Sequence, residues 1–414
     1  MTTSTKRGVR VPEPTRPIWT YTAWTERRLP TYVAAAASPI LSLVNGAEPT
    51  RAILNREAGE KVFFTDERIM PDHGRIVGRH GFILAPGGCE WAIPAHGGCT
   101  FCFYQQAVDN YVGDLPLNAR EFTALFLAGF GTMWRDCDAI CYFTAGSALN
   151  PGEIPPSALQ AIARVVSFAP RIRMLRVESR AQWMTEETIR PIASILARRG
   201  KTLDIAIGFE TQNDRIRNVL LHKGMTRKQF ESAVQIAKAC GARVTAYVML
   251  KGHWELGEGY AVEECVESIA YVFRAGVAEV QLQPLFISDD NSPMTRQYRA
   301  KNVQPPWLWS VAEVLQRTAQ MGPVILGPLD TELPPPIALP TNCTRCTPIM
   351  NDLVVRWRQT LDPALWGPKH LPACACRGTW LGEVDATMAP PAVVRTSVPE
   401  PVTTEGALPF VRRA

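Results

Sequence analysis

A short apolar run, His80-Gly-Phe-Ile-Leu-Ala85, leads through Pro86-Gly-Gly88 into Cys89-Glu-Trp-Ala-Ile-Pro-Ala-His-Gly-Gly-Cys99-Thr-Phe-Cys102. The run reads as a strand, and the cysteines sit on the loop that follows it. Cys99 and Cys102 form a C-x-x-C pair able to place two thiolates on one metal or cluster, and Cys89 reaches the same centre by a loop. Gly97 and Gly98 let the backbone turn tightly before the pair. Three thiolates on a four-iron cluster leave one iron without a protein ligand, open to a small chelating molecule. Two other readings stand beside this one at this point: zinc completed by a fourth ligand such as His96, and unrelated buried thiols. His96 itself reads more naturally as a hydrogen-bonding loop residue than as a ligand.

Outward from this loop, helical and strand periods alternate. Residues 118–134 read as a helix, 138–144 as a strand, 157–168 as a helix and 173–178 as a strand. Thr185 opens a helix that Gly200 closes, and 203–210 is the next strand. Thr226 and Gln229 form a capping box, with Phe230, Ala233, Val234, Ala237 and Cys240 on one helical face and Gly241 as the stop. Strand 243–250, helix 260–275, strand 277–285, helix 307–321 and strand 324–326 complete the series. Strand–helix alternation of this kind implies a parallel sheet with right-handed crossovers. Six or seven strands make a partial (β/α)6 barrel, whose chemistry gathers on the loops after the strands. The core therefore spans residues 51–330, after an irregular proline-rich extension over 1–50.

The composition of the 414 residues is ordinary for a globular protein, 46% hydrophobic and 20% charged, and a net charge of +5 permits a nucleic-acid partner without arguing for one. No run of ~18 apolar residues predicts a membrane span, and the N-terminus lacks the apolar core of a signal peptide, so a cytoplasmic protein is expected. Clustered cysteines in a reducing compartment read as metal ligands, while Cys137, Cys141, Cys240 and Cys265 fall in apolar patterns and read as core. After about 330 the pattern changes. Leu333–Pro340 reads as a stiff linker, residues 348–361 as helical, and 386–414 as a disordered tail. Within residues 331–385, Cys343-x-x-Cys346 and Cys374-x-Cys376 form a cysteine module suited to zinc or to a second iron–sulfur cluster.

The strand ends that should face the cysteine loop carry Ala145-Gly146-Ser147, Glu178-Ser-Arg180, Gly208-Phe-Glu210 and Lys251-Gly-His253. Gly146 and Ser147 would let a ligand approach closely. Glu178 with Arg180 would grip the ammonium and carboxylate of an amino acid, and Glu210 would hold a ribose or an amine. Lys251 is a weaker candidate. Trp307 and Trp309, flanking Leu308 after Pro305-Pro306, read as packing residues rather than a stacking platform. No residue is singled out as catalytic.

Together these features resemble the radical S-adenosylmethionine superfamily. The nine residues between Cys89 and the C-x-x-C match the longer-loop form of the branch that contains the Elongator catalytic subunit. The superfamily's small Gly-Gly-Glu motif is here Ala145-Gly146-Ser147, without its acid. Gly88-Cys-Glu-Trp, Gly98-Cys-Thr-Phe-Cys102, Phe143–Ser147, Val177–Arg180, Ile207–Thr211, Asn213-Asp-Arg215, Lys223-Gly224, Pro305–Ser310 and the C-terminal cysteines resemble the radical subunit family of archaeosine synthase over about residues 75–380. The segment Phe286–Arg299 departs from that family. The resemblance implies a [4Fe–4S] cluster on Cys89, Cys99 and Cys102, S-adenosylmethionine as cosubstrate, and an electron donor such as ferredoxin or flavodoxin. It also implies carbon–nitrogen bond cleavage on a lysine-bearing deazaguanine in tRNA, directly or with a tRNA-binding partner. A small-molecule lyase or mutase, and a metal-stabilised binding protein without turnover, remain the other readings.

Overall fold

The structure, a computed structural model, describes residues 63–70, 75–83, 88–93, 95–104, six separate positions between 119 and 130, 137–327 and 336–395. The expected extension over 1–50 lies outside these residues. So does most of the expected helix at 118–134, whose described positions are helical.

One eight-stranded sheet organises the chain. Its strands are β1 (Phe63–Met70), β2 (Arg75–Ile83), β3 (Ala139–Phe143), β4 (Met174–Glu178), β5 (Thr202–Glu210), β6 (Arg243–Leu250), β7 (Glu279–Pro284) and the shorter Val324–Leu326. They lie side by side in chain order. β1 pairs antiparallel with β2, and every later pairing is parallel. The seven parallel strands curl into a partial barrel. Helices α1 (Pro156–Phe168), α2 (Glu186–Ala197), α3 (Arg227–Ala239) and α4 (Glu258–Ala275) make the crossovers. The antiparallel β1 was absent from the sequence reading, and β2 starts five residues before the expected strand.

Local chemistry sets the helix limits. Thr185 caps α2 by accepting from the Thr188 N–H. Thr226 and Gln229 cap α3 reciprocally, at 3.2 Å and 2.8 Å. Such caps contribute about 1 kcal/mol each. Gly241 and Gly276 leave α3 and α4 with φ of +75° and +100°, where a side chain would be strained.

The strands alternate between an outer face, packed on the helices, and the barrel interior. The interior is layered and polar at its base. Arg176 on β4 donates to Asp204 on β5 (2.7 Å), Thr245 on β6 (2.9 Å) and Glu279 on β7 (2.8 Å), all fully buried or nearly so. Two residues further along the same strands stand Glu178, Ala206, Tyr247 and Gln281. These four line a cavity that opens at the C-terminal strand ends. A charged plug thus closes one end of the barrel and leaves the other open.

Beyond β7 come β8 (Ile287–Ser288), α5 (Pro293–Arg299), α6 (Leu308–Thr318), β9 (Val324–Leu326, the last strand of the barrel), β10 (Pro336–Ala338), α7 (Cys346–Thr360), α8 (Cys376–Ala386) and α9 (Ala392–Arg395). Part of the expected linker Leu333–Pro340 is strand, since β10 pairs antiparallel with β8. Residues 387–395, where the expected tail begins, are structured. The Thr387 hydroxyl accepts from the Gly259 N–H (2.9 Å), its carbonyl accepts from the Tyr260 N–H (3.1 Å), and α9 follows. Residues beyond 395 lie outside the described part. Cys137, Cys141 and Cys265 are buried as expected. Cys240 is only half-buried, because it caps the C-terminus of α3 rather than continuing its apolar face.

Candidate functional site

The cysteine loop sits at the C-terminal ends of the strands. A short helical turn, Glu90–Ala92, follows Cys89, and the Ala92 N–H donates to the Cys89 carbonyl (2.9 Å). Gly97 and Gly98 then take φ of +78° and +71°, and the Cys102 N–H closes the C-x-x-C turn on the Cys99 carbonyl (3.2 Å). The loop is fastened from outside by the segment after β5, where Ile216–Leu220 forms a π-helical turn. Thr100 donates its N–H to the Leu221 carbonyl and its hydroxyl to the Leu220 carbonyl. Trp91 Nε1 donates to the His222 carbonyl (2.7 Å), and the His222 ring bonds the Gly98 carbonyl (2.7 Å). His96 stacks on Trp91 at 5.1 Å, a packing role within the loop.

Cys89, Cys99 and Cys102 line one cavity of about 210 Å³ together with Gly146, Glu178, Arg180 and Glu210. Burial pushes the Cys89 thiol up to about 11 and the Cys102 thiol up to about 12. Cys99 is raised by burial too, against the pull of Lys223 and Arg180. Bare thiols here stay protonated, so thiolates at these positions need a cationic partner in the cavity. Three half-buried sulfurs lining one cavity, two of them on a tight turn, are a donor set that fits an iron–sulfur cluster with one open corner.

The remaining predicted residues divide. Glu178 is half-buried on the cavity wall, and desolvation there raises its carboxyl to about 7 even though the Tyr247 hydroxyl donates to it (3.0 Å). Glu210 pairs with Lys223 at 2.7 Å. Burial disfavours the Lys223 charge, yet Glu210 and Cys99 beside it hold the ammonium above its ordinary range. Arg180 reaches the Cys99 sulfur, but its guanidinium also donates to the Lys223 carbonyl (2.8 Å) and covers the Trp91 ring at 4.7 Å. It braces the cysteine loop as much as it faces the cavity. Ser147 is fully buried; its hydroxyl accepts from the Arg180 N–H (3.1 Å) and does not line the cavity. Lys251 pairs with Glu258 at 2.7 Å and is also outside the lining.

Sequence reasoning missed Glu153. Its carboxylate accepts from the Glu90 N–H (3.0 Å), the Asn150 side chain (3.1 Å) and the Ser147 N–H, so it ties the cysteine loop to the end of β3. Burial raises it to about 7. It lies six residues after Ser147 in an irregular turn, where no periodic pattern marks it. Lys223 and Tyr247 were also missed as site residues. Ala145, Glu210 and Lys251, each at a strand end, have φ of +56°, +67° and +62°. Non-glycine residues rarely adopt this region, at a cost of about 1–3 kcal/mol each, and such strain gathers at functional sites.

No family model matches the chain. Among curated proteins it is similar to archaeosine synthase subunit beta of Methanosarcina acetivorans, 28% identical over 319 residues, covering 72% of this chain and 82% of that one. It is likewise similar to archaeosine synthase subunit beta of Thermococcus kodakarensis, 32% identical over 260 residues, covering 58% and 73%. An uncharacterised protein of Methanocaldococcus jannaschii is 24% identical over 253 residues, covering 60% and 67%. Among solved structures, the Methanocaldococcus infernus Elp3 aligns with a TM-score of 0.41 at 15% identity over 57% of each chain. The radical S-adenosylmethionine methyltransferase TsrM of Kitasatospora setae aligns with 0.33 at 16% identity over 53% of this chain and 38% of that one. On the extent of the match to the archaeal subunits, the chain belongs to the archaeosine synthase subunit beta family.

Proposed function

We propose that this chain is a radical S-adenosylmethionine enzyme that acts in tRNA base modification as a carbon–nitrogen lyase. Cys89, Cys99 and Cys102 would hold the [4Fe–4S] cluster. Bound there, that cluster would supply the electron for reductive cleavage of S-adenosylmethionine and, through it, for hydrogen abstraction from the substrate. The convergence of the three cysteines and Glu178 on one cavity carries the reading.

The chain's own residues bind, orient and exclude water. Glu178 meets the methionine ammonium, and Tyr247 holds that carboxylate in place. Glu210, fixed by Lys223, faces the ribose side. Lys223 and Arg180 stand as cations beside Cys99. Phe101, Phe103 and Phe286 form an apolar wall that suits a flat heterocycle and keeps water from a radical. Phe286 opens the segment that departs from the family, so substrate selection is assigned there. The relatives are named as subunits of a synthase, and this chain is therefore read as working with a partner subunit that presents tRNA. A low-potential donor such as ferredoxin or flavodoxin would supply the electron.

The test is anaerobic purification followed by reduction with S-adenosylmethionine, with and without tRNA carrying the lysine-bearing base. A brown protein that forms 5′-deoxyadenosine, and a Cys99→Ala variant that forms none, are expected. Full turnover by Cys99→Ala rules the mechanism out. A colourless wild-type protein holding only zinc points to the binding-protein reading. 5′-Deoxyadenosine formation that tRNA leaves unchanged points to a small-molecule substrate.

A further inference from the structure

The second cysteine group lies outside the cavity, and its geometry selects its occupant. The sulfurs of Cys343, Cys346, Cys374 and Cys376 lie within 4.8 Å of one another. The Cys343–Cys374 and Cys346–Cys376 separations are each 3.7 Å. A single zinc ion with Zn–S bonds of 2.3 Å in a regular tetrahedron sets its sulfurs about 3.8 Å apart. Thiolates on the corners of a four-iron cluster stand much further apart, because the cubane lies between them. The turns agree with a closed site. The Cys346 and Thr347 N–H groups donate to the Cys343 carbonyl (3.0 Å each), and the Arg377 N–H donates to the Cys374 carbonyl (3.1 Å).

We infer that the quartet is a structural zinc site and that the Pro305-Pro-Trp-Leu-Trp-Ser310 string is its dock on the barrel. Trp309 Nε1 donates to the Cys376 sulfur at 3.4 Å, a bond that a metal-held thiolate accepts far better than a thiol does. Trp309 is buried, and Arg377 covers its ring at 5.6 Å. Trp307 Nε1 donates to Glu383 (2.8 Å) and Trp380 Nε1 to the Ser310 hydroxyl (2.8 Å), both joining α8 to α6. The Trp309 N–H donates to the Asn342 side chain at 3.3 Å, next to Cys343. The Trp307 N–H also donates to Glu258, the acid that pairs with Lys251 at the end of β6. All four ligand positions are filled by protein, so the site has no opening for substrate. Thiolate sites also hold zinc in preference to ferrous iron. This inference is independent of the reaction assigned to the cavity.

The test is metal content of the full chain purified anaerobically from iron-supplemented cells, as wild type and as a Cys89→Ala/Cys99→Ala/Cys102→Ala variant whose fold is checked by circular dichroism. One zinc beside about four irons in the wild type, and one zinc alone in the variant, are expected. About four irons or a single iron retained by the variant would overturn the assignment, and so would a variant without metal whose quartet is alkylated as free thiols. If the triple variant does not fold, the wild-type ratio decides: iron in excess of one cluster with no zinc counts against the proposal. Trp309→Phe in the wild-type background should release zinc to a chromogenic chelator about tenfold faster or more. An unchanged release rate would remove Trp309 from the site.

Discussion

The Glu153 carboxylate occupies the space that a side chain at residue 146 would need. A Cβ built on Gly146 would also stand 3.0 Å from the Cys89 Cα. The cysteine loop and its tether therefore themselves require a small residue at this strand end.

Gly146→Ala should push Cys89 and Glu153 away from the end of β3 while the barrel stays folded. Iron content and visible absorbance of the anaerobic protein should fall severalfold, with circular dichroism unchanged. Full iron loading would show that the loop can shift without cost.

In the role proposed for it, Glu178 would give ligand binding a pH dependence with a defined sign. Its carboxyl titrates near 7 rather than 4.5, because burial favours the neutral form. A ligand ammonium needs the ionised form, so each binding event below pH 7 must release the proton. Affinity for S-adenosylhomocysteine, measured calorimetrically on the cluster-loaded protein, should weaken about tenfold per unit as pH falls below that value, and level off above it. Glu178→Gln should bind weakly with no such slope. An unchanged slope in that variant would place the titrating group elsewhere. The same shift makes Glu178 a source of stability below pH ~4.3 that is lost as pH rises through about 7.

Arg176 is held to Asp204 and Glu279 with no exposed atom. Replacing it by Met strands two carboxylates inside the barrel and should destabilise the fold by about 3–5 kcal/mol in urea denaturation. Arg176→Met/Asp204→Asn should recover part of that loss. A single variant of wild-type stability would mean that water or a proton neutralises the acids.

The sequence by itself determined the alternation of strands and helices, because apolar period and capping chemistry are local. The Thr226–Gln229 box, Gly241, Gly276 and the limits of β6 are read directly from neighbouring residues. It also determined the cysteine loop and placed it at the strand ends, since a loop after a parallel strand can emerge only there. Tertiary structure decided the rest. Antiparallel β1 is defined by its pairing with β2. Glu153 becomes a tether only where β3 and the loop meet, and Ser147 turns inward because the Arg180 N–H is its partner. Arg180 is divided between the cavity and Trp91 because the turn at 222–224 folds back over the loop. Trp309 touches Cys376 across 67 residues of chain. Spacing can show which cysteines could share a metal, but only the packed barrel sets their sulfurs at the separation that one ion requires.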